Sequence, residues 1–115
     1  MPNASVKGKI VFITGASTGI GAATAMAFAS EGARLLLAAR RAGKLAEVAS
    51  MALERGAQAV HSFQLDVRSR NAVQRAIDEL PPEWAEIDVL VNNAGLSRGM
   101  EKHVDLGPQI GRAHV

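Results

Sequence analysis

Thr14-Gly15-Ala16-Ser17-Thr18-Gly19-Ile20-Gly21 sets three glycines at GxxxGxG spacing between an apolar run and an alanine-rich segment. Gly15 lacks a Cβ and can make a sharp turn out of a strand at no steric cost. Gly19 and Gly21 let the backbone come close to a pyrophosphate or to a neighbouring strand. Ser17 and Thr18 add hydroxyl donors. A helix starting behind them offers unpaired N–H groups and about half a positive charge, which suits phosphate. No lysine follows the last glycine, which excludes the triphosphate loop with its GK[ST] ending. Glycine turns also occur with no ligand, so the meaning of this one depends on its surroundings.

Three further groups carry chemistry. Arg40 and Arg41 form the only tight basic pair. A guanidinium grips a phosphate through a forked, charge-assisted pair, although two arginines at a strand exit are also ordinary solvated residues. The Asp66 carboxylate can accept from an amino group while the Val67 N–H meets a ring nitrogen. The alternative for Asp66 is a turn or helix cap ahead of Ser69. In Asn92-Asn93-Ala94-Gly95, Gly95 permits close approach to a ribose, and the Asn93 amide can tie neighbouring loops together. Asn92 reads as structural. No catalytic residue and no metal site is assigned. His61 falls in a strand, on an exposed or partly exposed face, and His103 and His114 fall in an aperiodic tail.

The elements that must position these groups follow from periodicity. Lys9 to Thr14 is the first strand, and its apolar run Ile10 to Ile13 reads as buried on both faces. Gly19 to Glu31 is the first helix, and its small residues allow close packing on a sheet. Arg34 to Ala39 is a second buried strand. From Lys44 to Arg55, Leu45, Val48, Ala49, Ala52 and Leu53 form an apolar helical stripe. Ala59 to Leu65 is a third strand. Val73, Ala76, Ile77 and Leu80 repeat the stripe, with Ser69 placed to cap and Pro81-Pro82 to stop it. Trp84 is expected to pack the following loop against that helix. Ile87 to Val91 is a fourth strand.

The order β-α-β-α-β-α-β predicts an α/β fold with a parallel sheet. It is the first half of a three-layer, Rossmann-like doubly wound sheet, with strands in spatial order 3-2-1-4. All four groups then gather at the carboxyl ends of the strands, where such sheets bind ligands at the switch point. The ligand expected there is a dinucleotide. An acidic residue at the second strand's exit would favour NAD, but Ala39 is followed by Arg40 and no carboxylate comes before Glu47. NADP is therefore expected over NAD.

Length and composition bound the rest. The chain has 115 residues, 48% of them hydrophobic, which suits one globular unit but is short for a complete doubly wound fold. The formal charge is +2 with no basic block, so neither nucleic acid nor a membrane surface is an expected partner. There is no cysteine, and therefore no disulfide or thiolate metal site. No apolar leader or membrane span is visible, and a cytoplasmic setting is expected. Residues 1–99 read as the dinucleotide-binding half-domain. Residues 100–115 read as an irregular tail outside the pattern. No strand is expected beyond Ile87 to Val91, leaving an exposed apolar edge and a marginally stable chain.

TGASTGIG at Thr14 to Gly21 and NNAG at Asn92 to Gly95, with Asp66-Val67 between them, resemble the short-chain dehydrogenase/reductase family over residues 6–99. LAARR at Leu37 to Arg41 and LPPEWAEIDVLVNNAG at Leu80 to Gly95 are similar to its NADP-dependent serine/3-hydroxy acid dehydrogenase branch. The resemblance implies an oxidoreductase moving hydride between NADP and a hydroxy acid or other secondary alcohol. It implies that Gly15, Ser17, Thr18, Gly19, Ile20 and Gly21 line the pyrophosphate and that Arg40 and Arg41 hold the 2′-phosphate. Asp66 and Val67 would frame the adenine. Asn93, Ala94 and Gly95 would contact the adenosine side and brace the sheet. The family's general base is a tyrosine in Tyr-x-x-x-Lys, assisted by a serine and an asparagine. This chain has no tyrosine, Lys102 and the serines do not fit those places, and the pattern lapses from about Leu106. The expectation is a truncated chain that is inactive by itself, with a substrate and an oligomer only in a longer form. The alternative is a non-catalytic remnant or a nucleotide-binding module.

Overall fold

The computed structural model describes residues 5–93 and, as backbone only, the strand at 110–114. The elements run β1 (Ile10–Thr14), α1 (Gly19–Ser30), β2 (Arg34–Ala39), α2 (Ala42–Arg55), β3 (Ala59–Gln64), α3 (Arg70–Asp78), a 3₁₀ turn (Pro82–Trp84), β4 (Ile87–Asn92) and β5 (Ile110–His114). The sheet is parallel with order β3-β2-β1-β4-β5. Its first four strands have the expected order 3-2-1-4.

β5 corrects the expectation of an irregular tail and an uncovered fourth strand. It pairs Ile87 with Ile110 and Leu90 with His114, across a register irregularity near Val89. The segment is five residues long and carries a glycine and an arginine. That gives it little local strand signal, and its conformation comes from pairing with a distant strand.

Each apolar run is buried on both faces because helices lie above and below the sheet. Every residue of β1 is buried, as are Leu35 to Ala39 of β2. Alternate side chains divide into two cores. Val11, Ile13, Leu35 and Leu37 face α1 and α2, meeting Ala25, Ala29, Leu45, Val48 and Ala52. Ile10, Phe12, Leu36 and Leu90 face α3 and the 3₁₀ turn, meeting Val73, Ile77 and Trp84. Trp84 thus packs beside the third helix as expected. It also stacks on the half-buried His61 with ring centroids 5.9 Å apart.

α1 buries only Gly21, Ala25 and Ala29, so it lies close to the sheet. α2 departs from its expected stripe at Leu53, which is 52% exposed. Helix geometry puts Leu53 roughly 80° around the axis from Leu45, at the margin of the buried face. α3 starts as expected, with the Ser69 hydroxyl accepting from the Ala72 N–H at 3.2 Å. Among the described residues no helix is long and apolar enough to cross a membrane.

Candidate functional site

The carboxyl ends of β1 and β4 lie side by side, with Thr14 paired to Asn92. From there the chain leaves β1 towards α1, and this is the switch point of the sheet. The Thr14 hydroxyl donates to Asn92 Oδ1 at 3.0 Å and fastens the two strand ends. The loop beyond is folded by its glycines. Gly15 and Gly19 adopt φ of 63° and 57°, the left-handed region that side chains disfavour. The Ala16 N–H donates to the Ala38 carbonyl at 3.1 Å and holds the loop against β2.

Gly21 has a different reason to be glycine. A Cβ there would lie 2.0 Å from the Gly15 carbonyl oxygen and 2.8 Å from Asn93 Nδ2. The close approach is therefore made to the loop's own backbone. Asn93, buried at 8% exposure, donates from Nδ2 to that same carbonyl at 3.2 Å. It ties the loop after β4 to the glycine loop.

The loop delivers the N-terminus of α1 to the surface. Thr18 takes the N-cap position with no side-chain cap bond, and no acidic residue occupies the first turn. The first amides and the positive end of the helix dipole are left for an external acceptor. Thr18, Gly19 and Ile20 are exposed, Ser17 half-buried and Gly21 buried.

At the next strand exit Arg40 and Arg41 are both exposed. The Arg40 carbonyl accepts from Gln64 Nε2 at 2.8 Å, which ties this exit to β3. Arg41 is the N-cap of α2, again with no cap bond and no acidic first turn. Two guanidinium groups and a second helix N-terminus thus concentrate positive charge at the end of β2.

Asp66 and Val67 follow β3 and are half-buried. The Asp66 carboxylate closes its own turn. Oδ1 accepts from the Arg68 N–H at 3.0 Å, and the Asp66 carbonyl accepts from the Ser69 N–H at 3.1 Å. This is the turn-capping geometry, with Ser69 and not Asp66 capping the helix. The Arg68 guanidinium forks onto both oxygens, Nε to Oδ1 at 3.0 Å and Nη2 to Oδ2 at 2.8 Å. The fork, the Arg68 N–H and the positive field of Arg40 bring the carboxyl pKa from 3.8 down to about 2. Arg40, Gln64, Asp66, Arg75 and Glu79 line a groove from this point along α3.

The four strand exits thus bring together Gly15, Ser17, Thr18, Gly19, Ile20, Gly21, Arg40, Arg41, Asp66, Val67 and Asn93. Ala94 and Gly95 lie outside the described residues, as do His103 and the His114 side chain. Sequence reasoning passed over Thr14 and Arg68. The Asp-x-Arg spacing inside a turn was the available signal for the second. Among the described residues no cluster of three His, Asp or Glu side chains gathers as a metal site.

The profile of the short chain dehydrogenase family matches residues 9–108, a span that takes in part of the tail set apart above. An NADP-dependent 3-hydroxy acid dehydrogenase of Schizosaccharomyces pombe is 43% identical over 100 residues, covering 86% of this chain and 39% of that protein. Sulfoacetaldehyde reductase 2 of Chromohalobacter salexigens is 48% identical over 88 residues, covering 76% and 34%. The chain therefore spans 34–39% of the length of these two relatives. Among solved structures, L-sorbose reductase of Gluconobacter frateurii, complexed with NADPH and L-sorbose, has a TM-score of 0.70 at 34% identity, covering 76% of this chain and 33% of that one. The NADP active-site complex of Pseudomonas aeruginosa RhlG has a TM-score of 0.69 at 30% identity, covering 82% and 40%. With its glycine loop, its switch point and this match along most of its length, the chain belongs to the short chain dehydrogenase family.

Proposed function

We propose that this chain binds NADP and forms the cofactor-binding portion of an oxidoreductase acting on a secondary alcohol, a 3-hydroxy acid foremost. The observation that carries the reading is the β2 exit. Arg40 and Arg41 stand there at an uncapped helix N-terminus, with no carboxylate before Glu47 to receive ribose hydroxyls. That chemistry favours a 2′-phosphate over a bare ribose.

The residues present fit the cofactor. The free amides at the start of α1 receive the pyrophosphate, aided by Ser17 and Thr18. Ile20, 71% exposed, offers an apolar side chain for the ligand to cover. Asp66 and Val67 meet the adenine. Asn93 fixes the loop, and the reading extends the adenosine contacts to Ala94 and Gly95. NADP, when bound, supplies the hydride acceptor. The proton-exchanging tyrosine of the family is not among these 115 residues, which contain no tyrosine. This favours a second element in the reading, that the 115 residues by themselves bind cofactor without turnover.

Isothermal titration with NADP and NAD tests the binding. NADP is expected to bind at least about tenfold more tightly, the worth of one charge-assisted bond. Equal affinities, or none, would overturn the reading. Steady NADPH formation from L-serine by the purified 115-residue chain would remove its non-catalytic part.

A further inference from the structure

The strongest unassigned feature is the side-chain bond that closes the exit of β2. The Ala39 carbonyl accepts from the Leu65 N–H at 2.9 Å, the last backbone bond between the β2 and β3 segments. The Arg41 carbonyl accepts from the Leu45 N–H at 3.2 Å, the first helical bond of α2. The Arg40 carbonyl falls between strand and helix, and among the described residues its donor is a side chain, Gln64 Nε2 at 2.8 Å. Gln64 ends β3, in register with Ala39. We infer that Gln64 is a positioning residue for the 2′-phosphate: it fixes the peptide between Arg40 and Arg41, and with it the placement of both guanidinium groups and of the Arg41 N–H.

The inference rests on the proposed cofactor reading and deepens it. Both arginines are exposed, and no hydrogen bond or ion pair among the described residues holds either guanidinium. Two long, free side chains grip a phosphate well only when the backbone they spring from is set, because each loose torsion must be ordered on binding. The peptide bonds are trans, so the N–H of the 40–41 peptide points opposite to its carbonyl. With that carbonyl held towards Gln64, the Arg41 N–H is turned away from Gln64. It donates to nothing among the described residues and precedes the uncapped start of α2. Gln64 is itself exposed, so its bond competes with water and adds little to folding stability. Its effect falls on the shape of the exit.

The test is titration calorimetry of NADP and NAD on wild type and on Gln64→Met, which keeps the length of the side chain and loses the donor. NADP affinity is expected to fall about fivefold, the worth of one ordinary hydrogen bond, and NAD affinity to change less than about twofold. The urea midpoint should stay that of wild type. Added to Arg40→Ala/Arg41→Ala, Gln64→Met should weaken NADP binding by less than about twofold more, because the groups it positions are gone. In ¹⁵N spectra of wild type, NADP should shift the Arg41 amide further than NAD does. An NADP preference that survives Gln64→Met unchanged overturns the role of Gln64 and leaves the cofactor reading standing. So does an equal loss for both dinucleotides, the same loss in the Arg40→Ala/Arg41→Ala background, or a Gln64→Met chain with no unfolding transition, each of which makes the bond merely structural. An Arg41 amide shifted alike by NADP and NAD also overturns the inference alone. Equal wild-type affinities for the two dinucleotides, or none, overturn the cofactor reading and this inference together.

Discussion

The glycine loop and the β3 exit stand at the same edge of one sheet and are built by opposite means. The loop is shaped by missing side chains. Gly21 lies against the Gly15 carbonyl, and the buried Asn93 amide latches it from a distant strand. The β3 exit is shaped by side chains that are present and half in water, Asp66 held by Arg68 two residues on. The first arrangement depends on packing and is indifferent to pH and salt. The second depends on charge and responds to both. One site thus has a rigid floor and a tunable rim.

The difference can be broken first at its most rigid point. Gly21→Val places a Cβ where only 2.0 Å separates it from a backbone oxygen. The expected loss is about 3 kcal/mol of stability in urea unfolding, a large share of what a domain this size has. A variant as stable as wild type would mean that the loop yields easily. Next comes the positive rim at β2. Replacing both Arg40 and Arg41 with Ala should weaken NADP binding about 100-fold while changing NAD binding less than about threefold, with unfolding unchanged. A parallel loss for both dinucleotides would place the arginines away from the 2′-phosphate.

Asn93→Ala should cost about 1–2 kcal/mol, since it leaves the Gly15 carbonyl without its buried donor. Its cost should not vary between pH 3 and pH 7. The smallest effect belongs to the charged turn. Asp66 has a folded pKa of about 2, below the ordinary 3.8. Its contribution is therefore present above about pH 4 and fades as the pH falls through 2. Arg68→Ala should flatten that part of the stability curve, seen as a smaller drop in urea midpoint between pH 5 and pH 2.5. An unchanged drop would assign the acid sensitivity to other carboxylates.

The fold was legible where local pattern and burial agree. Ile10–Thr14 and Arg34–Ala39 are apolar because both of their faces are covered, and Ser69 announces α3. Ile110–His114 was not legible. Five residues of mixed polarity become a strand only when Ile87 and Leu90 lie beside them, and no local propensity encodes that. Leu53 misled for a related reason: period marks the stripe but not where its margin meets water. At the site, residue types gave the glycines, the arginines and Asp66. What each glycine is for was less visible. In sequence Gly21 reads as a close approach to a pyrophosphate or to a neighbouring strand, and in the fold its missing Cβ makes room for the Gly15 carbonyl. Arg68 was hidden because a charged residue in a turn reads as solvated until its partner is seen.

The Asn93 latch also has a consequence in time. It joins residues 78 positions apart, whereas β1, α1 and β2 are neighbours in sequence. Chain closure over that distance is slow and comes after local βαβ contacts form. The glycine loop should therefore reach its final shape only when β4 docks, making it one of the last parts of the molecule to mature. In refolding experiments NADP should leave the early phase unchanged and stabilise only the product of the final one. Cofactor affinity then serves as a clock for completed folding, because a chain that has not brought Asn93 home has no finished loop to offer.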